Sequence, residues 1–304
     1  MSKGLLLAIL MILLLGCQPK QEEKVTAYTT NAISIVYDDS VPQDIYSNEP
    51  FTVIVHVYNV GNSTLSARNL KLIPLGMDFG GEFELKGNRE KIIAQDVIPS
   101  EQPITFTWAN IVPKVEPTSP KKVVFDLKAV YLYTGEHHIH ICVPKEDLSG
   151  RCKVPSEARI YNSKNILSVE NAQQDVVHDA KGEKYFTFVF YIRKRDNVET
   201  YPYSDITTYF ANQNIKALKE GFLLQILPFW KNSEVKCQVI GRKTQEVSFG
   251  SFIKVETVDG TAKVVCKFKL SSQEEFEKDV PIFTKYVVVQ RAPFTFTLHP
   301  RKEI

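Results

Sequence analysis

The chain has 304 residues and a nearly balanced charge, with 37 Lys and Arg against 35 Asp and Glu and a formal net charge of +2. Hydrophobic residues make up 43% of it and charged residues 24%, proportions that are ordinary for a globular protein and exclude wholesale disorder. The charge provides no basic footprint for nucleic acid, so we expect no nucleic-acid partner.

The N-terminus has the pattern of a lipoprotein signal peptide. Lys3 precedes an apolar run over 5–15, which is shorter than the roughly 20 residues that span a bilayer. The run closes on the sequence Leu-Leu-Gly-Cys, and a small residue before Cys17 is what lipoprotein processing requires. We therefore expect residues 1–16 to be a signal peptide and 17–30 to be a lipidated cysteine with a polar tether. The alternative is an ordinary secretory signal with an incidental cysteine.

The mature sequence carries one strand pattern twice. A short apolar run at 33–37 is followed by a long β-branched and aromatic run at 51–58. The same arrangement returns at 166–169 and 185–192, about 134 residues later, which indicates a duplicated domain rather than a solenoid.

Alternation of apolar and polar residues predicts further strands. It is clearest at 125–131, 264–270, 286–289 and 294–298, with turn-forming residues between these runs. The exception is 207–220, which has the length of a helix of three to four turns and ends before Gly221.

These elements predict an all-β protein of two tandem antiparallel β-sandwiches. We expect the first sandwich over 31–145 and the second over 165–304. The segment 146–164 is expected to be a linker that contains a disulfide loop.

The segment from Glu49 to Thr64, with the turn Asn59-Val60-Gly61, and the following strand at 67–72 resemble the CARDB-type immunoglobulin-like domains of bacterial and archaeal surface proteins. The resemblance covers about 30–145 and is fainter over 160–300. It implies an immunoglobulin-like fold and an extracytoplasmic, non-catalytic module for adhesion, spacing or assembly, with no catalytic residues to carry over. Asn and Gly also accept the positive φ angles of a tight hairpin turn, so the residues themselves predict a hairpin at 59–61.

Four cysteines remain once Cys17 is assigned to lipid, and export to an oxidising compartment favours their pairing. Three connectivities are possible. We favour Cys142 with Cys152 and Cys237 with Cys266, because each pair brackets a local turn or hairpin. A metal site of four cysteines is the alternative, but the spacings lack the close cysteine pairs of zinc ribbons.

The densest group of metal-ligating side chains is His137, His138 and His140. On a strand, His138 and His140 point to the same face and could hold zinc or copper with a ligand from a neighbouring strand. The alternative is a polar strand end near the cysteine loop, and we expect no cofactor.

Two stretches are candidates for a partner patch. The apolar run at 221–230 is more often a buried strand that ends at Pro228. The basic run at 193–195 could meet anionic lipid headgroups near the membrane, but such a run is more often a solvated loop. The candidate residues are Phe222, Leu224, Phe229, Trp230, Arg193, Lys194 and Arg195. Separately, Asn62-Ser63-Thr64 matches the N-glycosylation pattern and lies in a predicted exposed turn.

No signature of an enzyme is present: the sequence has no nucleophile elbow, phosphate loop, zinc-protease helix or dinucleotide fingerprint. Scattered acids such as Asp38, Asp39, Glu82 and Glu84 remain candidates for catalytic carboxylates. We expect a non-enzymatic lipoprotein, held by its lipid on the outer side of a membrane, that binds or spaces an envelope protein or surface polymer. The alternatives are a metal or small-ligand carrier that delivers to a membrane transporter, and an envelope hydrolase.

Overall fold

The computed structural model describes residues 27–30, 32–75, 83–85, 90–99, 101–148, 150–203, 218–229, 235–270 and 275–301. The described residues are all-β, as predicted, and include no α-helix. Most of the predicted helix at 207–220 lies outside them, and residues 218–220 are not helical. Within the same ranges, no helix has the length and apolar character needed to cross a bilayer.

The described part of the chain forms the following strands, given in chain order. They are β1 (Ala27–Thr29), β2 (Ile33–Tyr37), β3 (Asp44–Tyr46), β4 (Phe51–Asn59), β5 (Leu70–Leu75), β6 (Phe83–Leu85), β7 (Lys91–Ile92), β8 (Ile104–Pro113), β9 (Lys121–Val143), β10 (Ser156–Glu157), β11 (Arg159–Asn162), β12 (Leu167–His178), β13 (Lys184–Lys194), β14 (Glu199–Pro202), β15 (Gly221–Ile226), β16 (Lys236–Ile240), β17 (Thr244–Val247), β18 (Ile253–Glu256), β19 (Thr261–Lys269) and β20 (Phe276–His299).

The strands are arranged in three sheets. The N sheet has the order β1-β2-β4-β8-β6, and the C sheet has the order β10-β12-β13-β19-β16-β17. The central sheet has the order β18-β15-β20-β9-β5-β7, and β3, β11 and β14 also pair with its strands. The pairing is antiparallel apart from β3, which runs parallel to β20.

The longest pairing joins β9 to β20 in the middle of the central sheet. These strands have 23 and 24 residues, and their register continues without a shift from Val143 opposite Phe276 to Lys121 opposite Leu298. At a rise of about 3.3 Å per residue, this two-stranded ribbon is about 75 Å long. It is much longer than the usual strand of 3–10 residues.

One face of this ribbon is buried along its length. Every second residue of β9 from Val123 to Val143 is buried, as is every second residue of β20 from Val280 to Leu298. The N sheet covers one half of that face, where Trp108 packs edge-on against Phe125 with ring centroids 6.4 Å apart. The inward residues of the C sheet join the same continuous core. The sheets therefore form a sandwich-like arrangement in which the N sheet and the C sheet both pack against the central sheet.

Strand pairing crosses the predicted domain division. β3 from the first predicted sandwich pairs with the end of β20, and the predicted linker contributes β10 to the C sheet and β11 to the central sheet. The segment 146–164 is therefore not a free linker, because parts of it are hydrogen-bonded into both sheets. The boundaries at 31–145 and 165–304 stay a prediction.

Two local predictions are wrong. The turn at 59–61 does not close a hairpin, because β4 belongs to the N sheet and β5 to the central sheet. Gly61 is absent from the residues with positive φ. A side chain at this position would instead clash with Tyr133, since a Cβ atom there would lie 1.7 Å from the hydroxyl of Tyr133. The runs at 286–289 and 294–298 are parts of the single strand β20.

We call the N sheet with the part of the ribbon beneath it the N half, and the C sheet with the part beneath it the C half. We predict that the two halves unfold together because they share the ribbon. Trp108→Ala removes a side chain that is 1% exposed and should lower the free energy of unfolding by about 3–5 kcal/mol. Hydrogen exchange measured in low urea should then speed up in β13 and β19 as well as in β4 and β8.

The control is Val124→Ala, because Val124 lies on the ribbon's opposite face and is 50% exposed. It should change the unfolding free energy by less than about 0.5 kcal/mol. Faster exchange confined to the N sheet in Trp108→Ala would contradict the shared unfolding.

Candidate functional site

Both predicted disulfides are present. Cys142, near the end of β9, is bonded to Cys152 in the following loop, and Cys237 on β16 is bonded to Cys266 on β19. The second pair joins residues that lie directly opposite each other in the C sheet. One disulfide therefore fixes the loop at the end of the ribbon, and the other cross-links two neighbouring strands of the C sheet.

The histidine cluster is divided between the two faces of β9. His137 is fully buried, whereas His138 and His140 lie on the outer face with 36% and 28% of their side chains exposed. This follows from the alternation of side chains along a strand. The structure therefore places His138 and His140 together, as predicted, and separates His137 from them.

His140 lies between two carboxylates that come from the opposite strand. Its Nδ1 is 2.8 Å from Asp279 Oδ1, and its Nε2 is 3.2 Å from Glu277 Oε2. The hydrogen bond with Asp279 is the main cause that raises the pKa of His140 above its usual value. His138 has a similar contact, with its Nε2 3.0 Å from Glu136 Oε1.

The strand β11 adds two exposed residues to the same surface. Tyr161 lies opposite His138, and Arg159 lies opposite His140. Tyr161 is 54% exposed, the largest value among the exposed large hydrophobic side chains of the described residues. We call the surface formed by Tyr161, Arg159, His138, His140, Glu136, Glu277 and Asp279 the polar face.

The polar face is a surface of imidazoles and carboxylates rather than a recognisable metal centre. Across the described residues, no three His, Cys, Asp or Glu side chains come together in a way that would hold a metal ion. Each ring nitrogen of His140 already faces a carboxylate. The metal site at His137, His138 and His140 stays a prediction, and His137 cannot contribute to it from the opposite face.

His137 occupies a closed polar cluster on the inner face of β9. Its Nδ1 is 2.8 Å from Asn162 Oδ1, and Asn162 is itself fixed because it accepts from the N–H of Val169 and donates to its carbonyl. Since that oxygen is an acceptor, Nδ1 carries the proton and Nε2 keeps its lone pair. Nε2 has no hydrogen-bond partner and lies close to Asn165 and Thr284, which surround Gly135. Burial lowers the pKa of His137 to about 4.

The apolar run at 221–230 contains a buried strand, as the favoured interpretation predicted, and is not an exposed partner patch in the residues that the structure describes. Phe222 and Leu224 are fully buried, and Phe229 is 5% exposed. Phe229 packs against Phe188 of the C sheet with ring centroids 5.6 Å apart. These side chains fill the core between the sheets because β15 is a strand of the central sheet. Trp230 lies outside the described residues.

The basic run at 193–195 is partly neutralised by acidic side chains. Arg195 Nε is 3.4 Å from Glu170 Oε1, and Arg193 reaches the other oxygen of Glu170 at 3.9 Å. Lys194 Nζ is 2.9 Å from Glu220 Oε1. Exposed pairs of this kind contribute little to stability, but they reduce the charge available to an anionic partner.

The structure describes the predicted glycosylation site at Asn62 but not the predicted lipidation site at Cys17. Asn62 and Thr64 are exposed in the turn after β4, so the glycosylation pattern is accessible. The backbone of this turn is held by Tyr133, whose hydroxyl accepts from the N–H of Asn62 at 3.1 Å. Cys17 and the processing site lie outside the described residues.

Sequence reasoning missed the members of the polar face that come from strands other than β9. Glu277 and Asp279 are more than 130 residues from His140 in sequence and reach it only through the β9–β20 register. The alternation over 136–142 does carry a signal, since it places Glu136, His138 and His140 on one face. No local pattern identifies the strand that lies opposite.

No protein-family model matches the chain, and no curated protein matches it. Among solved structures, the envelope protein VP37 from White Spot Syndrome Virus aligns with a TM-score of 0.24 and 7% identity, over 51% of this chain and 97% of that one. The protein pT26-6p aligns with a TM-score of 0.22 and 7% identity, over 90% of this chain and 65% of that one. The secreted serine protease VesC from Vibrio cholerae aligns with a TM-score of 0.18 and 10% identity, over 86% of this chain and 50% of that one. Likeness at these TM-scores carries no argument about this chain.

We predict that acid destabilises the fold through His137. Its folded pKa of about 4 lies below the ordinary value of 6.5, so the unfolded chain binds more protons and stability falls as pH drops from about 6.5 to about 4. Between pH 7.5 and 5.0 this one group should remove about 2 kcal/mol from the free energy of unfolding. Urea unfolding of the His137→Leu variant should show a pH dependence that is smaller by that amount.

His140→Leu is the matched control with the opposite sign. Because the folded pKa of His140 is raised, this group adds stability at acid pH and loses that contribution as pH rises through its folded pKa. Its replacement should make the loss of stability between pH 7.5 and 5.0 larger than in the original chain. Equal pH dependence of the unfolding free energy in the original chain and in His137→Leu would contradict the assignment of the acid destabilisation to His137.

Proposed function

We propose that this chain is a non-catalytic, lipid-anchored protein of the extracytoplasmic side of a membrane, and that it holds a binding surface away from the membrane as a stiff spacer. The observation that carries this proposal is the β9–β20 ribbon, which runs without a break through both halves of the molecule. The immunoglobulin-like family resemblance of the sequence agrees with such a role.

The compartment is supported by the cysteines. The four cysteines of the described residues form two disulfides, and structural disulfides form and persist mainly in oxidising compartments outside the cytoplasm. The sequence adds the processing pattern that ends at Cys17. Two acyl chains on such a cysteine provide stable anchoring, whereas one chain binds a membrane only marginally.

The spacer role is supported by continuity of the central sheet. A hinge between the N and C halves would have to break the paired backbone of β9 and β20 inside a sheet that both halves cover. Buried backbone groups without hydrogen-bond partners are costly. The two halves therefore keep a fixed relation along about 75 Å of ribbon.

The start of the described chain supports a position of the polar face away from the anchor. Near the start of the described chain, the Thr30 hydroxyl lies 3.3 Å from the hydroxyl of Tyr131, close to the middle of the ribbon. His140 lies nine residues further along β9, which corresponds to about 30 Å. We therefore propose that the polar face points away from the membrane that Cys17 contacts.

The chemistry of the polar face suits a polar partner. Tyr161 offers an exposed aromatic ring, Arg159 offers planar donors, and the carboxylates and imidazoles nearby accept or donate hydrogen bonds. Such a surface fits the hydroxyl-rich or polar groups of an envelope protein or surface polymer. The carrier alternative has less support, because the described residues include no group arranged to hold a metal ion.

The first test is the location of the mature protein in its own cells. We expect it in the membrane fraction with lipid on Cys17, as measured by intact-mass spectrometry, and released to the soluble fraction by Cys17→Ser. Mature protein without lipid in the soluble fraction of the unmodified strain would overturn the anchoring part of the proposal.

The second test places a photo-crosslinking amino acid at Tyr161 or at Val124 in intact cells. Both side chains are about half exposed and lie on the outer face, but they are separated by about 45 Å along the ribbon. We expect a reproducible adduct with an envelope protein or polymer from Tyr161 and none from Val124. Adducts from neither position would remove the binding role, and equal adducts from both would contradict its placement at the polar face.

A further inference from the structure

A second histidine site lies on the opposite side of the molecule, on the outer face of the N sheet. His56 on β4 is directly opposite Thr105 on β8. Its Nδ1 is 2.9 Å from Thr105 Oγ1, and its Nε2 is 2.8 Å from Asp38 Oδ2. The three side chains thus form a continuous line of hydrogen bonds from carboxylate to imidazole to hydroxyl.

The carboxylate of Asp38 is held in place by the turn that follows β2. Its Oδ1 accepts from the backbone N–H of Ser40 at 2.9 Å and from the hydroxyl of the same residue. These bonds, together with the bond to His56, hold the pKa of Asp38 well below its usual value. Its second oxygen, Oδ2, is therefore an ionised acceptor with a fixed position.

This carboxylate decides which nitrogen of His56 carries the proton. An ionised carboxylate only accepts hydrogen bonds, so Nε2 of the neutral ring is protonated and Nδ1 presents its lone pair. The partner of Nδ1 is Thr105 Oγ1, whose proton then points at a base. A hydroxyl within hydrogen-bond reach of a base that a third group orients is the arrangement of an activated nucleophile.

We propose that Thr105 is an acyl-accepting hydroxyl of this chain, which takes an acyl group from an activated ester or thioester. This activity goes beyond the proposed spacer function and does not depend on it. Thr105 is exposed, so a donor reaches Oγ1 from solvent. The product is a chain that carries one ester-linked acyl group on the outer face of the N sheet.

The step balances within the groups named. Thr105 Oγ1 attacks the carbonyl carbon of the donor, and its proton passes to Nδ1 of His56. The bond between the carbonyl carbon and the leaving oxygen or sulfur then breaks, and the leaving group takes that proton. Asp38 keeps the Nε2 proton in a hydrogen bond and stabilises the ring while it is charged.

The same strand provides a matched control hydroxyl. Thr107 is two residues further along β8, so it lies on the same outer face and is also exposed. The residue opposite it is Ile54, which has no base. Any difference in reactivity between Thr105 and Thr107 therefore measures the effect of His56.

The test incubates the full chain with 4-nitrophenyl acetate and locates stable acetyl groups by peptide mass spectrometry. We expect Thr105 to be labelled at least about 10-fold faster than Thr107, since a positioned general base contributes about 100-fold or more in favourable sites. His56→Gln should lower the rate at Thr105 to that at Thr107. Asp38→Asn should lower it as well, with the imidazole still present.

Each variant is first compared with the original chain by circular dichroism and thermal unfolding. Because His56 and Asp38 lie at the surface, with 23% and 32% of their side chains exposed, we expect both variants to fold. Equal labelling of Thr105 and Thr107 in the original chain would overturn the proposal. So would an unchanged rate at Thr105 in folded His56→Gln, or stable label confined to lysine amines.

Discussion

The pairing of β9 with β20 is the interaction on which the rest of the structure depends. Each strand is the last of its half, and each is long enough to lie under both the N sheet and the C sheet. The register has no bulge, so inward residues stay inward along the whole ribbon. A bulge would have turned the inward residues outward beyond it, because side chains alternate with a period of two. Continuity of the register is therefore what lets one strand supply inward residues beneath both the N sheet and the C sheet.

The two halves use equivalent strands in equivalent positions. In the N sheet, β4 lies between β2 and β8, and in the C sheet, β13 lies between β12 and β19. In the central sheet, β5 is the neighbour of β9 and β15 is the neighbour of β20. This arrangement agrees with the repeat in the sequence. It also explains the length of β9 and β20, since antiparallel pairing at the centre lets each half's last strand continue beneath the other half's sheet.

The sequence predicted the class of fold and several strands, because those depend on local alternation. The run at 33–37 is β2, and the runs at 51–58 and 185–192 fall within β4 and β13. The sequence did not predict the full length of β20, because a proline inside an apolar run argues against a central strand. Pro281 and Pro293 nevertheless both lie within the paired register. Burial of Phe222 and Leu224 was the favoured interpretation, since an apolar run that ends at a proline is more often a core strand than a surface patch.

The candidate sites illustrate the same limit. A one-residue step along β9 separates His137, whose pKa burial lowers to about 4, from outward-facing His138. That division follows from alternation alone and is visible in the sequence. The partners are not, because Asp279 reaches His140 across a ribbon and Thr105 reaches His56 across the N sheet. The chemistry of each histidine is thus set by the sheet rather than by its neighbours in sequence. The contributions of His137 and His140 to stability, three residues apart along β9, are therefore expected to change with pH in opposite directions.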